Sequence, residues 1–242
     1  MNNPFLMPHQ AEVNIIHEDN MLFDFDENFF DVVFADYVYE NLDFSWAKKY
    51  WNHLKTNGIF IAMTDHHSMS RFDVFMLDEL SATPVNQIVW KNEWGNFPKN
   101  KFRQCHDYIL IYCKGNDWHF DPYKAQVEKA TSNAKGLNPS GRKTKLATSW
   151  IDDICLTTTS KERIKKSDGH LIRWQKPVSL INRVVAPFVR VGDKMVDPFL
   201  GSGTSAIAAM QLGLNFWGIE KEEEPYGLAV ERIQEFDNRK KE

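Results

Sequence analysis

The sequence predicts an α/β fold, a three-layer sandwich with a mostly parallel central sheet. Three observations support this prediction. Short apolar runs alternate with helical stretches along the chain, a pattern typical of strands joined by helical crossovers. A strand, a glycine turn and an alanine-rich helix follow one another over residues 195–212. The chain has 242 residues, 43% of them hydrophobic, which is enough for a single domain with a sizeable core.

Seven strands are predicted where short runs are rich in Val, Ile, Phe or Tyr. They span residues 13–17, 31–35, 58–63, 86–90, 108–112, 194–196 and 215–219. Three of these strands lead into an acid: Asp36, Asp65 or Glu220. Because ligands bind beyond the carboxyl ends of the strands in open α/β sheets, these acids indicate a candidate site.

Three helices are predicted, over residues 43–55, 176–189 and 204–212. The first has an apolar face that includes Leu54, and Asn57-Gly58 supplies its C-terminal turn. The second has Pro177 in its first turn, where proline is favoured. The third stops at Gly213, a residue that readily adopts the left-handed conformation of a helix end.

The composition argues against several classes of protein. The three cysteines lack C-x-x-C spacing and predict neither a disulfide framework nor a zinc site. The pairs His66-His67 and Cys105-His106 are interpreted as surface or core residues, so no metal is expected. The first eleven residues do not resemble a targeting peptide, and no segment approaches the roughly 20 apolar residues of a membrane span. We therefore expect a cytoplasmic location and no membrane partner.

The amino-acid composition changes between residues 114 and 169. We therefore divide the chain into a core, residues 1–113 and 170–242, and an inserted segment, residues 114–169. Within 124–166, ten Lys or Arg stand against four acids, a net charge of +6 in a chain whose net charge is −4. Basic groups neutralise phosphates, and the aromatic residues nearby can stack on bases. An ordinary solvated loop is the alternative. The candidate nucleic-acid-binding residues are Arg103, Arg142, Lys143, Lys145, Lys165 and Lys166.

The strongest local signal is the glycine-rich run between the strand near residue 195 and the helix that begins at residue 204. Gly201 and Gly203 permit unusual backbone angles and let a ligand approach the main chain. The N–H groups at the start of the helix favour an anionic group. Glu220 follows about 20 residues after the first glycine, where an acid would hydrogen-bond ribose hydroxyls. Taken alone, this pattern suits NAD, and it also suits a purely structural turn.

The residues Asp197-Pro198-Phe199-x-Gly201-Ser202-Gly203-Thr204 resemble the cofactor motif of the DNA amino-methyltransferases. These enzymes transfer a methyl group from S-adenosylmethionine to N6 of adenine or N4 of cytosine. Other segments extend the resemblance: Glu18-Asp19 is similar to the family's G-D pair, Gln175-Lys176-Pro177 to its Q-K-P signature, and Trp90-Lys91 with Arg103 to Asp107 to its W-x-K and R-x-x-H-E region. Ile172-Arg173-Trp174 stands where the family usually carries H-P-T.

The resemblance implies a Rossmann-like methyltransferase fold and S-adenosylmethionine as the cofactor. The candidate catalytic strand precedes the glycine-rich run, with the inserted segment between them. This order is typical of the permuted β group, in which the inserted segment contributes to target recognition. The cofactor-binding residues that the resemblance implies are Asp19, Asp36, Lys176, Pro177, Asp197, Phe199, Gly201, Ser202, Gly203, Thr204 and Glu220.

The family's catalytic motif, D-P-P-Y or S-P-P-Y, corresponds here to Asp36-Tyr37-Val38-Tyr39, in which both prolines are replaced. Asp36 and the main-chain carbonyl of Tyr37 would accept the two hydrogens of the target amine, and Tyr39 would stack on the flipped base. Proline fixes φ near −65° and stiffens a turn, so the altered turn needs packing to hold it.

We therefore expect site-specific methylation of adenine N6 in double-stranded DNA, of the kind found in restriction–modification systems. N4-cytosine methylation is one alternative. A second alternative is an inactive relative that binds S-adenosylmethionine or DNA as a regulatory or partner subunit. A third is an oxidoreductase that binds NAD at the glycine-rich run. The sequence leaves open whether the protein forms a homodimer.

Overall fold

The computed structural model describes residues 11–92, 98–128, 143–155, 161–166, 168–172 and 175–241. The strands are β1 (Val13–His17), β2 (Phe30–Asp36), β3 (Leu54–Thr64), β4 (Thr83–Lys91), β5 (His106–Cys113), β6 (Gln126–Glu128), β7 (Thr144–Leu146), β8 (Trp150–Ile151), β9 (Lys194–Asp197) and β10 (Asn215–Glu220). The α-helices are α1 (Ser45–His53), α2 (Met69–Val74), α3 (Val178–Val185), α4 (Thr204–Leu212) and α5 (Glu223–Lys241). A π-helical turn, Phe75–Glu79, continues α2, and a 3₁₀ turn, Ala186–Phe188, continues α3.

An eight-stranded sheet has the order β1-β10-β9-β2-β3-β5-β4-β8. Seven of these strands run in one direction and only β5 runs against its neighbours. From β2 the chain moves to β3 on one side, whereas from β9 it moves to β10 on the other. The strand order therefore reverses between β2 and β9, which is where open α/β sheets bind their ligands.

Two apolar clusters cover the two faces of the sheet. Alternate residues of β2 point to opposite faces because the side-chain period of a strand is two, so Val32 and Phe34 join one cluster while Val33 and Ala35 join the other. Helices α3 and α4 contribute to the first cluster, and α1 and α2 contribute to the second. This arrangement confirms the predicted sandwich with its mostly parallel sheet.

All seven predicted strands are present, and most of them extend a few residues beyond their predicted bounds. The first helix is shorter than predicted, because it ends at His53 and Leu54 already begins β3. Asn57 has a φ of +64° inside β3, where the pairing with β2 shifts register, so Asn57-Gly58 forms an irregularity of the strand and not the end of the helix. Pro177 lies just before α3, as its N-cap residue.

Part of the 114–169 segment joins the main sheet. β8 pairs with β4 in parallel, and the Trp90 indole N–H donates a hydrogen bond of 2.8 Å to the carbonyl of Ile154. Ile151 and Ile154 are buried in the first apolar cluster. β6 and β7 form a separate two-stranded sheet. The role of the segment in target recognition stays a prediction.

Within the described ranges, no helix combines the length and the apolar character that crossing a bilayer requires. The cytoplasmic location stays a prediction.

Candidate active site

A cavity of about 410 Å³ opens at the carboxyl ends of β2 and β9. This volume lies in the range of small-molecule sites. The predicted residues that line the cavity are Asp36, Tyr37, Tyr39, Lys176, Asp197, Phe199, Gly201, Ser202 and Thr204. Sequence positions more than 160 residues apart therefore meet at one site. The predicted residues Asp19, Pro177, Gly203 and Glu220 do not line this cavity, although each lies in a segment next to it.

Residues 197–204, called the glycine loop below, turn sharply between β9 and α4. Gly201 and Gly203 have φ angles of +53° and +76°, which side chains disfavour. A Cβ at Gly203 would lie 3.2 Å from the Cβ of Ala229 in α5, so this glycine allows close packing. At Gly201, leaving its chain neighbours aside, the Phe199 carbonyl oxygen at 3.9 Å would be the only heavy atom of the described residues within 4 Å of such a Cβ, so the main chain is open to a ligand here.

Two carboxylates hold the glycine loop from inside. Asp197 is 2% exposed, accepts a hydrogen bond of 2.9 Å from the Phe199 N–H and accepts another from the Ser205 hydroxyl. Burial raises the pKa of Asp197 to about 7, although both hydrogen bonds oppose this effect. One oxygen of Glu220 accepts the Gly201 N–H at 2.8 Å. The loop is therefore fixed by its own strand and by the neighbouring strand.

Glu220 is the last residue of β10, and Asp19 follows the neighbouring strand β1; the N–H of Glu18 donates to the carbonyl of Glu220 at 3.2 Å. The second oxygen of Glu220 accepts the Glu222 N–H at 2.9 Å, so each carboxylate oxygen has one partner and keeps capacity for a second. Asp19 accepts the Met21 N–H at 2.8 Å within a turn. The side chain of Asn20 donates to the carbonyl of Pro198 at 2.9 Å, which connects this turn to the glycine loop.

The charges of the cavity distinguish between the ligands that a glycine loop can hold. Among the residues that the structure describes, five acids and one lysine, Lys176, line the cavity; the acids are Asp36, Glu40, Asp65, Asp107 and Asp197. Such a lining repels a diphosphate and attracts a cation such as a sulfonium. Together with the open main chain at Gly201, this lining suits the cationic sulfonium of S-adenosylmethionine better than it suits a diphosphate.

The carboxylate of Asp36, in the last residue of β2, is held by two neighbours. The Tyr39 hydroxyl donates to one oxygen at 2.6 Å, and the Lys176 ammonium lies 3.0 Å from the other. Lys176 also donates to the Tyr39 hydroxyl oxygen at 3.2 Å and is only 6% exposed. Burial and the charge of Asp36 raise the pKa of Tyr39 well above its usual range, so the hydroxyl stays protonated. These three side chains form one hydrogen-bonded group.

The segment Asp36–Tyr39, called the catalytic turn below, is held by packing in place of its missing prolines. Tyr37 is 3% exposed and stacks on Phe72 with ring centroids 5.3 Å apart. Its hydroxyl forms a hydrogen bond of 2.7 Å with Thr64. The Ser68 hydroxyl donates to the main-chain carbonyl of Tyr39 at 3.0 Å. The turn is therefore fixed at both tyrosines, and only Val38 is exposed.

Sequence reasoning missed several residues that shape this site. Ser68 and Thr64 hold the catalytic turn, but a lone hydroxyl residue carries no motif. Asp107 was recognised only as a substitute for the family's Glu, yet it lines the cavity. Burial raises the pKa of Asp107, while the nearby Lys176 charge lowers it. Lys176 was expected beside the cofactor, and the structure places its ammonium on Asp36.

The predicted nucleic-acid-binding residues are spread over the surface of the described chain. Lys143, Lys145 and Lys165 are exposed, and Arg103 is partly buried. Lys166 forms an ion pair of 2.9 Å with Glu224. Arg142 lies outside the described residues. Contact of these residues with DNA stays a prediction.

Asp65, His66 and His67 bring three possible metal-ligand atoms within 4.8 Å of one another at the rim of the cavity. One oxygen of Asp65 already accepts the Ser68 hydroxyl at 2.6 Å and the Ser68 N–H at 3.0 Å. Both histidines are exposed. The hydrogen bonds of Asp65 therefore hold Ser68 in position.

The chain matches the model of the DNA methylase family of N6 and N4 methyltransferases over residues 33–231. It is 28% identical over 206 residues to the type II methyltransferase M.HinfI of Haemophilus influenzae, an alignment that covers 84% of this chain and 54% of M.HinfI. The chain thus spans about half the length of that curated relative.

Two solved structures share the fold. The PvuII DNA methyltransferase, which is cytosine-N4-specific, superposes with a TM-score of 0.71 at 15% identity, covering 95% of this chain and 93% of that one. The complex of M1.HpyAVI with S-adenosylmethionine superposes with a TM-score of 0.63 at 20% identity, covering 91% of this chain and 99% of that one. The family is one of S-adenosylmethionine-dependent enzymes. The chain therefore belongs to the N6/N4 DNA methylase family, as its matched residues 33–231 show.

Proposed function

We propose that this protein transfers a methyl group from S-adenosylmethionine to adenine N6 in double-stranded DNA. The observation that carries the proposal is the meeting of Asp36 and Tyr39 with the glycine loop in one acidic cavity. The choice of adenine rests on Asp36 at the head of the catalytic turn, where many cytosine enzymes of the family carry serine. M.HinfI, a type II methyltransferase, supports DNA as the substrate.

The cofactor would be held by the glycine loop, with Phe199, Gly201 and Ser202 on the cavity side. Phe199 is held in place because its ring packs edge-on against Trp46, with centroids 4.9 Å apart. When bound, S-adenosylmethionine would supply an electrophilic methyl group, and the proton that the amine loses would pass to the Asp36 carboxylate and from there to water.

Asp36 prepares the target amine. The lone pair of this amine is conjugated with the base ring, so it is a weak nucleophile until its hydrogens are accepted. An ionised carboxylate offers about four acceptor sites. In the structure two of them are used, by Tyr39 and Lys176. Asp36 can therefore accept one amine hydrogen while Lys176 holds it in position, and the Tyr37 carbonyl, next along the chain, can accept the other.

Tyr39 receives the base. A target base must leave the duplex stack to reach a cavity of this kind, and an aromatic ring compensates for the lost stacking. The hydrogen bond from Tyr39 to Asp36 fixes the orientation of this ring relative to the carboxylate. Methyl transfer depends on such alignment, because a misplacement of about 1 Å can cost roughly 100-fold in rate.

The test is transfer of radiolabelled methyl from S-adenosylmethionine to unmethylated genomic DNA by wild type, Asp36→Ala and Asp78→Ala. Asp78 is an exposed acid outside the cavity and serves as the matched control. We expect Asp36→Ala to lower the rate by about 100-fold or more, because the amine loses its acceptor. Asp78→Ala should act like wild type. Circular dichroism and thermal unfolding check that each variant is folded.

The labelled nucleosides separate the remaining possibilities. Label in N6-methyladenine supports the proposal, whereas label in N4-methylcytosine would replace adenine by cytosine as the target. Cofactor binding without label in DNA would show an inactive relative that acts as a binding or partner subunit.

A further inference from the structure

The loop between β4 and β5 lies at the same edge of the sheet as the candidate active site. β4 ends at Lys91 and β5 begins at His106, and these two residues are partners in the pairing of the strands. The next residue of β5, Asp107, lines the cavity. The described part of this loop, residues 98–105, therefore leads directly into the rim of the cavity.

Phe102, in this loop, is 99% exposed, more than any other large apolar side chain in the described part of the protein. The next value is that of Tyr123, at 83%. Transfer of a benzyl group from water to an apolar environment lowers the free energy. Folding of this chain alone leaves the ring of Phe102 in water. The side chain is therefore available to enter an apolar environment that a partner provides.

The neighbours of Phe102 are basic. Lys99 and Lys101 are exposed, and Arg103 follows directly. None of the ion pairs among the described residues involves Lys99 or Lys101. Two exposed lysines thus precede an exposed ring within three residues, on a protein whose net charge is −4. This charge pattern suits a partner whose apolar interior is bordered by anions, as stacked bases are bordered by phosphates.

The loop also lies near the turn that contains Asp65 and His66. Burial lowers the pKa of His66, and the charges of His67 and Lys101 lower it further. Lys101 is therefore close enough to His66 to affect its protonation. Since Asp65, the residue before His66, lines the cavity, a duplex that delivers a base to the cavity would pass against this loop.

We propose that Phe102 is a wedge that enters the DNA duplex beside the target base and fills the gap that the flipped base leaves, while Lys99 and Lys101 hold the adjacent phosphates. The inference rests on the proposed function, because it assumes that a base enters the cavity from duplex DNA. Apolar side chains that insert between base steps unstack and kink DNA in this way. Filling the gap stabilises the flipped state and so favours productive binding.

The test compares wild type, Phe102→Ala, Phe102→Trp and Val191→Ala. Val191 is also an exposed apolar residue, 66% exposed, but it lies just before β9, at the opposite edge of the sheet. The first readout is unwinding of a relaxed plasmid, measured as the change in linking number after topoisomerase treatment in the presence of protein. The wedge predicts unwinding by wild type, Phe102→Trp and Val191→Ala, and its loss in Phe102→Ala.

The second readout is methyl transfer. On duplex DNA we expect Phe102→Ala to lower kcat/KM by about 10-fold with cofactor affinity unchanged, because the unfilled gap makes flipping less favourable. The recognition sequence is read beforehand from the methylated positions of genomic DNA. On a duplex with a mismatch at the target base, flipping needs less energy, and the deficit should shrink to about 2-fold.

Each outcome decides the proposal. Equal unwinding by wild type and Phe102→Ala, no unwinding by either, or an equal deficit on matched and mismatched duplexes would overturn the wedge. A change of oligomeric state in Phe102→Ala, seen by sedimentation, would assign Phe102 to contact between copies of the chain and would also overturn it. If wild type transfers no methyl group at all, the proposed function fails, and the unwinding of the plasmid still decides the role of Phe102.

Discussion

The glycine loop and the catalytic turn end two adjacent strands of the sheet, yet their rigidity has different origins. The glycine loop is fixed by backbone geometry, with positive φ at Gly201 and Gly203 and hydrogen bonds to carboxylates of its own and the next strand. The catalytic turn is fixed by side chains from elsewhere in the chain, since Tyr37 packs on Phe72 and Tyr39 is held by Ser68. The glycine loop is therefore rigid because of its own backbone conformation, and the catalytic turn is rigid because of tertiary contacts.

This difference explains why the replacement of two prolines need not disable the turn. Proline restricts φ locally. A buried ring with a satisfied hydroxyl restricts the same backbone through tertiary contacts, because moving it would open a void and break a hydrogen bond. The comparison can be tested by loosening each region separately.

The largest effect is expected for Asp197→Asn in the glycine loop. Burial raises the pKa of Asp197 from its ordinary 3.8 to about 7, so between these values the folded protein binds more protons than the unfolded chain. The free energy of unfolding therefore falls as the pH rises through this window, and asparagine, which does not titrate, removes this decline. The stability of the variant relative to wild type should rise by up to about 1.4 kcal/mol per pH unit between about pH 5 and pH 7.

Urea unfolding of wild type and Asp197→Asn at several pH values measures this difference. Subtracting the two curves removes the titration of all other groups. If the difference in free energy of unfolding stays constant across the window, Asp197 is not a buried titrating group and the loop is held in another way.

The next effect is expected for Gly203→Ala. This residue has a φ of +76°, and a Cβ would lie 3.2 Å from the Cβ of Ala229. The strained backbone should lower the free energy of unfolding by about 1 to 3 kcal/mol. The control is Gly227→Ala in α5, where a Cβ would meet no atom of another described segment within 4 Å. There alanine should stabilise the helix by about 0.5 to 1 kcal/mol. Denaturant unfolding of both variants checks the contrast, and equal losses would contradict it.

The smallest effect is expected for Ser68→Ala, which loosens the catalytic turn. The substitution removes the hydroxyl whose single proton is shared between Asp65, at 2.6 Å, and the Tyr39 carbonyl, at 3.0 Å. We expect kcat for methyl transfer to fall by about 10-fold, since a small misplacement of Asp36 and Tyr39 is costly. Cofactor affinity should not change, because the glycine loop is untouched.

Ser70→Ala is the control for Ser68→Ala, because Ser70 is an exposed serine in the first turn of α2, two residues after Ser68. Steady-state kinetics and calorimetry on both variants separate catalysis from cofactor binding. An unchanged kcat in Ser68→Ala would show that aromatic packing alone holds the turn.

The same contrast explains what the sequence could predict. The strands and the glycine loop follow from local patterns, so 204–212 was predicted as the helix that is observed, with Gly213 at φ +70° after it. Helix α2 was not predicted, because its buried face depends on contact between Phe72 and Tyr37, which lies in the turn after β2. Helix α5 was also not predicted, because its sequence, EEPYGLAVERIQEFDNRKK, is rich in charge and weak in apolar pattern.

For the site, too, the sequence predicted the residues that belong to motifs and not the tertiary contacts between them. Motifs indicated Asp36, Tyr39, Lys176 and the glycine loop, and the structure brings these residues to one cavity. The ion pair between Lys176 and Asp36 could not be predicted, because it depends on how α3 lies beside β2. The hydrogen bonds of Ser68 and Thr64 likewise depend on tertiary contacts that leave no periodic pattern in the sequence.

The pairing of β2 with β9 also has a consequence for folding during synthesis. The Lys194 N–H donates to Asp31, and these two positions are 163 residues apart in the chain. Contacts between such distant positions form slowly, because a long loop must close before they can stabilise the fold. The half of the cavity that holds Asp36 is synthesised early, and the half that holds the glycine loop is synthesised late. A nascent chain therefore cannot form the complete cavity until β9 has been synthesised and has paired with β2.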